Sequence, residues 1–332
     1  MTDVNEKNDI KIKDNIKISV IIPAYNVEDY LPECLESCIS QHFEGAEYIC
    51  VDDGSSDGTY AQAERYADAH AEIKLLHKEN CGVSSARNAG LRAAKGKVIM
   101  FLDADDKLKR GAIERIWQCF SSDKCPDIVI FNADTFPADI EDLPWYKKTL
   151  QFQEKYYDHF VPQILFAERG SMPFVWRHAY RAELIKDRGI YFDETLNMGE
   201  DAVFPMSIFP SADRFMFIEE SLISYRMSRD GSLMEVIHSD PVSVVDKHYD
   251  AIISAASFWN GKGWLCRYGT DFLEWALKFT LLKVKALKGK EKREKAAEFF
   301  ERIAEPFELA KYKGKLSFKG KLMWIAFCLM AG

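Results

Sequence analysis

The chain has 332 residues, 47% of them hydrophobic, which is enough to bury a sizeable core in one large domain or two smaller ones. A charged fraction of 29% and a net charge of −8 provide no broad basic surface, so a nucleic-acid partner is excluded. No run of 18 apolar residues is present to span a bilayer, and the polar stretch Met1–Lys17 lacks the apolar segment of a signal peptide.

Residues 1–17 are predicted to be a flexible leader. The apolar run Ile18–Ile22 stops at Pro23 and predicts a strand buried on both faces. Val27, Tyr30, Leu31, Cys34, Leu35, Cys38 and Ile39 recur at helical spacing, which predicts a helix over 27–43 with Asn26 as its N-cap. A strand at Tyr48–Val51, a helix at Thr59–Ala69, a strand at Ile73–His77, a helix at Val83–Ala94 and a strand at Lys97–Leu102 follow. Strands and helices taking turns predict an α/β fold with a parallel sheet covered by helices on both faces. Such sheets take ligands beyond the carboxyl ends of their strands. Three polar clusters directly follow strands, at 23–26, 52–57 and 103–106, and the fold brings them to one edge.

Beyond about Lys109 the pattern loosens. Asp127–Phe131 predicts a further strand, 133–148 reads as a mobile loop, and helices dominate from about Lys247. Ser239-Asp240-Pro241 interrupts the pattern and marks a boundary near 240. The eight cysteines form no pair of CxxC motifs, which argues against zinc. Several occupy apolar positions, as buried thiols do in a reducing, cytoplasmic compartment.

In Asp103-Ala104-Asp105-Asp106, alternate carboxylates at a strand end aim at one ligand. Mg²⁺ and Mn²⁺ prefer such oxygens and share them with substrate phosphates; a solvated acidic turn is the competing reading. Asp52-Asp53-Gly54-Ser55-Ser56-Asp57-Gly58 either accepts the imino N–H of a uracil base or is a turn that caps the next helix. Gly82 opens a helix whose N-terminus favours anions. Arg87, one turn in, reaches a diphosphate or forms an ion pair with a strand-end aspartate.

Four segments, Val20–Asn26, Val51–Asp57, Gly82–Leu91 and Phe101–Asp106, together resemble family 2 of the inverting glycosyltransferases, which have the GT-A fold, and in particular its bacterial polysaccharide-biosynthesis members. The likeness is strong over 17–110 and looser over 170–235. It implies a GT-A domain at 18–240 followed by a helical region at 241–332. It places Pro23, Ala24, Tyr25 and Asn26 at the nucleoside pocket, and Asp53 with Asp52 at the base-contacting position. Gly82 and Arg87 lie near the nucleotide, and Asp103, Ala104 and Asp105 form the Asp-x-Asp motif that approaches ribose and metal. Cys81 departs from the family, where glycine is frequent.

Asn197–Phe204 resembles the family's Glu-Asp motif, which makes Asp201 the general base and Glu200 its neighbour. Two acidic residues opening a helix and stabilising its dipole is the alternative. Trp176 lies in a segment similar to one that precedes this motif, with His178 where lysine is usual. Arg226 or Arg229, around the loop Ser228–Ser232, is a candidate to steady the diphosphate, although a plain surface loop fits as well. His238 has no expected task beyond structure.

The resemblance implies a nucleotide-sugar donor, UDP-linked, a glycan or lipid-linked acceptor, and Mn²⁺ or Mg²⁺. A sugar nucleotidyltransferase would need a basic, glycine-rich loop after the first strand, where this chain has Pro23–Asn26. A non-catalytic glycan-binding or scaffold protein is opposed by carboxylates at all three stations. From Lys283 to Lys321 there are 13 Lys/Arg against 6 Glu, and then comes the apolar run Leu322–Met330. That pattern suits docking on an anionic membrane on the cytoplasmic side. A terminal helix packed on the core or in a homodimer is the other reading.

Overall fold

A computed structural model describes residues 16–137, 149–167, 174–227 and 240–332. Arg229, its loop 228–232, His238, the leader up to residue 15 and most of the predicted 133–148 loop lie outside the described residues. The chain divides into two compact units. One draws on Met1–Phe160, Phe174–Glu194 and Ser211–Met227, the other on Val161–Pro173, Thr195–Pro210 and Ser228–Gly332.

The first unit is built on one nine-stranded sheet. Strands β1 (Ile18–Ala24), β2 (Ala46–Asp52), β3 (Ile73–His77) and β4 (Val98–Phe101) are parallel, in the order β3-β2-β1-β4. The register pairs Ile18 with Ala46 and with Val98; β1 and β2 end together at Ala24 and Asp52, while β4 ends at Phe101 opposite Ile21, so Leu102 to Asp106 continue past it toward the same edge. Helices α1 (Leu31–Ile39), α2 (Thr59–Ala69) and α3 (Val83–Ala93) make the crossovers. Strands β1 and β4 read as continuous apolar runs because helices and neighbouring strands shield both faces; Ile18, Val20, Ile21 and Ile22 have no exposure.

The rest of the sheet is mixed. Strand β5 (Lys107–Leu108), helix α4 (Ala112–Phe120), β6 (Ile128–Phe136), β7 (Lys155–Tyr157), β8 (His178–Arg181), α5 (Ala182–Lys186) and β9 (Phe215–Arg226) complete the unit. Strand β8 inserts antiparallel between β4 and β6, while β6 and β9 run parallel along nine paired positions. Every antiparallel ladder is only two or three pairs long, so the expected mostly parallel α/β sheet is what forms.

Two local expectations are corrected. The first helix begins at Leu31, with Tyr30 and not Asn26 at its N-cap. Asn26 instead adopts φ 49° and joins the loop after β2. The loop expected from 133 begins later, because 133–136 continue β6. Asn132 donates to Phe152 and Glu219 carbonyls and sits at a register shift, which hides the strand's alternation.

The second unit is helical where described. Helix α6 (Glu200–Ile208) is followed by α7 (Pro241–Gly261), α8 (Trp264–Ala286), α9 (Gly289–Phe299) and α10 (Phe318–Ala331). Asp240 caps α7 by accepting from the Val242 and Ser243 amides, with Pro241 in the first turn, which is why the sequence breaks there. Trp259 has no exposure and donates its indole N–H to the Met206 carbonyl (3.0 Å), tying α7 to α6. No helix among the described residues is long and apolar enough to cross a membrane.

Candidate active site

The carboxyl ends of β1, β2 and β4 carry the three predicted clusters to one edge of the sheet. Neighbouring loops there are stapled by hydrogen bonds. Asp53 N–H donates to Ala24 O (2.9 Å), Ser56 N–H to Asn26 Oδ1 (2.9 Å) and Val27 N–H to Thr59 Oγ1 (2.7 Å). These bonds delay α1 to Leu31: residues 26–28 are engaged by the next loop before a helical turn can start. Pro23 is half-buried, Ala24 is buried, and Tyr25 is exposed at 45%.

Both aspartates after β2 are buried. Asp52 has no exposure; His77 Nδ1 lies 2.7 Å from its Oδ2, and Ser55 N–H reaches its Oδ1 at 3.4 Å. Asp53 is 2% exposed and accepts from the Lys78 ammonium, Cys81 N–H (3.2 Å) and Gly82 N–H (2.8 Å). It therefore organises the turn that opens α3. Gly54, at φ +72°, lies so close that a Cβ would sit 2.7 Å from the Asn80 nitrogen, so only glycine fits beneath this turn.

After β4 the chain alternates. Asp103 and Asp105 are half-buried, whereas Ala104 (4%) and Asp106 (0%) point inward. Arg87, itself buried, donates to Asp103 Oδ1 at 3.0 Å, and its guanidinium lies 5.4 Å from the Phe192 ring centroid. The ion-pair alternative for Arg87 is thus present in this structure. Asn88 anchors the same helix by exchanging hydrogen bonds with the Phe192 backbone (2.9 and 2.8 Å).

Asp106 accepts from Arg226 N–H (2.8 Å) through Oδ1, while its Oδ2 is buried with no hydrogen-bond partner among the described residues. Burial, and then the charges of Asp103 and Asp105, raise its pKa well above the carboxylate range. The Arg226 side chain turns back into the protein. Its Nε donates to Asp105 O (2.9 Å), its Nη2 to Glu33 Oε2, and its plane lies 5.0 Å from the Tyr30 and 4.3 Å from the Phe136 ring centroid. Lys107 reaches the other Glu33 oxygen (2.6 Å); that bond, with Arg226 in support, lowers the Glu33 pKa. Arg226 thus clamps the Asp105 main chain.

Trp176 is 5% exposed and stacks between Phe174 (5.4 Å) and Tyr225 (4.9 Å, 8° between planes). Next to it Arg177 is fully buried and donates to the carbonyls of Phe131, Thr149 and Leu150. Burial brings its pKa down to about 9. His178 is buried against Tyr180 (Nδ1 to OH 2.9 Å), with its pKa pushed far down by burial and then by Arg177. It is a core histidine.

Sequence reasoning gave no role to Glu33, His77, Lys78, Lys107, Asp106 or Arg177. His77 ends β3 and Lys78 follows it on the same edge, so the strand-end rule covers them. The others show no local signal, because their partners lie far away in the chain.

Glu200 and Asp201 belong to the second unit. They open α6 after Gly199, which is in the left-handed region at φ 84°, and both are half-buried, while Ala202 to Phe209 are buried. Glu200 and Asp201 are the two residues of this helix that keep partial exposure.

Among the described residues no group of three or more His, Cys, Asp or Glu is placed to hold a metal ion by itself. The half-buried Asp103 and Asp105 supply hard oxygen donors of the kind a divalent cation shares with a ligand's phosphates, so this pair fits such an ion.

The family model described as glycosyl transferase family 2 matches residues 19–209. The chain is 31% identical over 264 residues to the uncharacterized glycosyltransferase EpsJ of Bacillus subtilis strain 168, covering 74% of this chain and 70% of EpsJ. Other curated relatives are longer, and the chain spans 24% of one and 61% of another. Among solved structures, S. aureus TarS 1–349 in complex with UDP superposes with a TM-score of 0.70 at 21% identity, covering 95% of this chain and 89% of that one. The mannosyltransferase PcManGT of Pyrobaculum calidifontis, in complex with GDP-Man and Mn²⁺, gives 0.53 at 16% identity, covering 95% and 86%. The sheet order, the carboxylate edge and these likenesses agree on the GT-A fold, and the chain belongs to glycosyl transferase family 2.

Proposed function

We propose that this chain moves a sugar from a nucleotide diphosphate donor, UDP-linked, to a hydroxyl of a glycan or lipid-linked acceptor in cell-surface polysaccharide synthesis, with inversion at the anomeric carbon. The observation that carries this reading is the shared edge beyond β1, β2 and β4, with Asp103 and Asp105 half-buried and Asp52 and Asp53 buried and hydrogen-bonded. Two solved neighbours, named as complexes with UDP and with GDP-Man and Mn²⁺, support a nucleotide-sugar donor.

In this reading Pro23 to Asn26, Asp52, Asp53 and Gly82 form the nucleoside side, with Arg87 near the diphosphate. Asp105, beside Asp103 and Ala104, would hold Mn²⁺ or Mg²⁺, which supplies charge neutralisation to the departing diphosphate. Asp201, with Glu200 beside it, takes the proton of the acceptor hydroxyl; this role rests on the motif and on the partial exposure of both residues at the start of α6. The acceptor oxygen then bonds to the anomeric carbon as the bond to the diphosphate breaks on the opposite face. A cytoplasmic location belongs to the same reading, supported by cysteines 34, 38, 50 and 119 buried as free thiols.

The test is calorimetry with UDP, with and without Mn²⁺, followed by a screen of UDP-, GDP- and dTDP-sugars for nucleotide diphosphate release. Metal-dependent UDP binding and release from a UDP-sugar are expected. No metal-dependent nucleotide binding would leave a scaffold, and release of inorganic pyrophosphate from a nucleoside triphosphate and sugar phosphate would mark a nucleotidyltransferase.

A further inference from the structure

Helix α10 is apolar on two opposite sides, and the second unit uses only one of them. Met323 and Phe327 are buried at 6% and 0%, with Phe327 against Phe299 (4.5 Å between ring centroids) and Trp324 against Phe300 (5.2 Å). The helix cannot roll. Ser317 accepts from Gly320 N–H (3.0 Å) as N-cap and donates to Glu274 of α8 through its hydroxyl (2.6 Å) and its N–H (3.1 Å).

The opposite side presents Phe318, Leu322, Ile325 and Leu329 at 81%, 52%, 51% and 78% exposure. At about 100° per residue these four fall within roughly 60° of arc. They are four of the eight large hydrophobic side chains exposed among the described residues, so exposure here is concentrated rather than scattered. On the same wheel Lys319 and Lys321 flank the stripe, one on each side. Leu309–Gly332 contains five lysines and no Asp or Glu.

We propose that this face docks on an anionic lipid bilayer. The helix lies in the interfacial plane, the four apolar side chains enter the acyl boundary, and Lys319 and Lys321 reach up to lipid phosphates, with Lys311, Lys313 and Lys315 adding attraction. Fourteen helical residues reach only about 21 Å, short of a hydrocarbon core of about 30 Å, so the helix lies on the bilayer and does not cross it. A second copy of the chain is the weaker occupant: a two-fold contact through the stripe would set these lysine rims against their own copies.

The experiment is co-sedimentation of the full chain with vesicles of phosphatidylcholine alone or mixed with phosphatidylglycerol, at low and high salt. Binding to the mixed vesicles, weakened by salt, is expected. Leu322→Ser with Leu329→Ser should lower the partition at least about tenfold, and Lys319→Ser with Lys321→Ser should lower it roughly tenfold while flattening the salt dependence. All four positions are exposed, and an unchanged thermal midpoint verifies the fold. Absence of binding to mixed vesicles overturns the proposal. So does binding that neither double variant weakens, or a wild-type dimer that the leucine variant dissociates in a protein that ignores vesicles.

Discussion

Replacing Arg226 with alanine tests whether this side chain positions the Asp-x-Asp turn. Three contributions are removed together. The bond from Nε to the Asp105 carbonyl, at 2.9 Å, is charge-assisted and contributes about 1.5–3 kcal/mol. The contacts with the Tyr30 and Phe136 rings contribute about 0.5–1 kcal/mol each. The pair with Glu33, whose side chain is 49% exposed, contributes no more than about 1 kcal/mol after solvent screening. Neighbouring terms do not add fully, so the expected loss is about 2–4 kcal/mol, read by urea denaturation. Arg226→Lys keeps a charge for Glu33 but loses the Nε bond to the Asp105 carbonyl, and should recover only part of that loss. On the proposed function, both variants should also need about tenfold more Mn²⁺ for half-maximal transfer, the equivalent of one lost hydrogen bond of about 1.4 kcal/mol. Wild-type stability and an unchanged Mn²⁺ requirement in Arg226→Ala would refute the clamp; a lysine variant equal to wild type in both would refute the role of Nε.

Asp201→Asn should retain UDP affinity within about twofold and lose transfer by at least about 10²-fold; retained turnover in single-turnover assays removes the base assignment. Gly199→Ala puts a Cβ at φ 84° and 2.8 Å from the Ala251 Cβ, so a loss of about 1–3 kcal/mol is expected in thermal unfolding. A change under about 0.5 kcal/mol would contradict that geometry. Asp106 holds its proton in the folded state at pH values where the unfolded chain has released it. Folded chains then bind more protons than unfolded ones, and stability falls as pH rises from about 4, the ordinary carboxylate value, through the raised one. Asp106→Asn should remove that slope from urea midpoints measured across pH; an identical slope in variant and wild type would show that Asp106 is not its source.

How far the sequence carried depended on the range of the interactions. Thr59–Ala69 and Ile73–His77 were legible to the residue because their signals are local: an amphipathic repeat, an apolar run and a polar turn between them. The start of α1 was not, since Asn26 and Val27 are held by Ser56 and Thr59, some thirty residues on. Strand β6 was cut short because Asn132, Asp134 and Thr135 look like loop residues until β9 lies alongside. In the site, Asp103 and Asp105 followed from alternation at a strand end. Asp106 carries the same side chain, and only the packed fold separates it from them by burying it.

That separation leads to a paired prediction about the acidic edge. Asp53 sits at 2% exposure with its two oxygens receiving one ammonium and two backbone N–H groups. An asparagine there offers one oxygen, so at least one of these donors faces an NH₂ group buried at this position, at a cost of about 1–3 kcal/mol. The turn that opens α3 should loosen with it, and any loss of transfer should follow the loss of folded protein. Asp105 is half-buried, and its proposed work is on the ligand. Asp105→Asn should therefore abolish Mn²⁺-dependent transfer with a stability change smaller than that of Asp53→Asn. Urea midpoints and initial rates of nucleotide release, measured on both variants, separate the two roles. If Asp105→Asn proved the more destabilised, or Asp53→Asn lost transfer at full stability, burial would be the wrong guide to which carboxylates build this edge and which act from it.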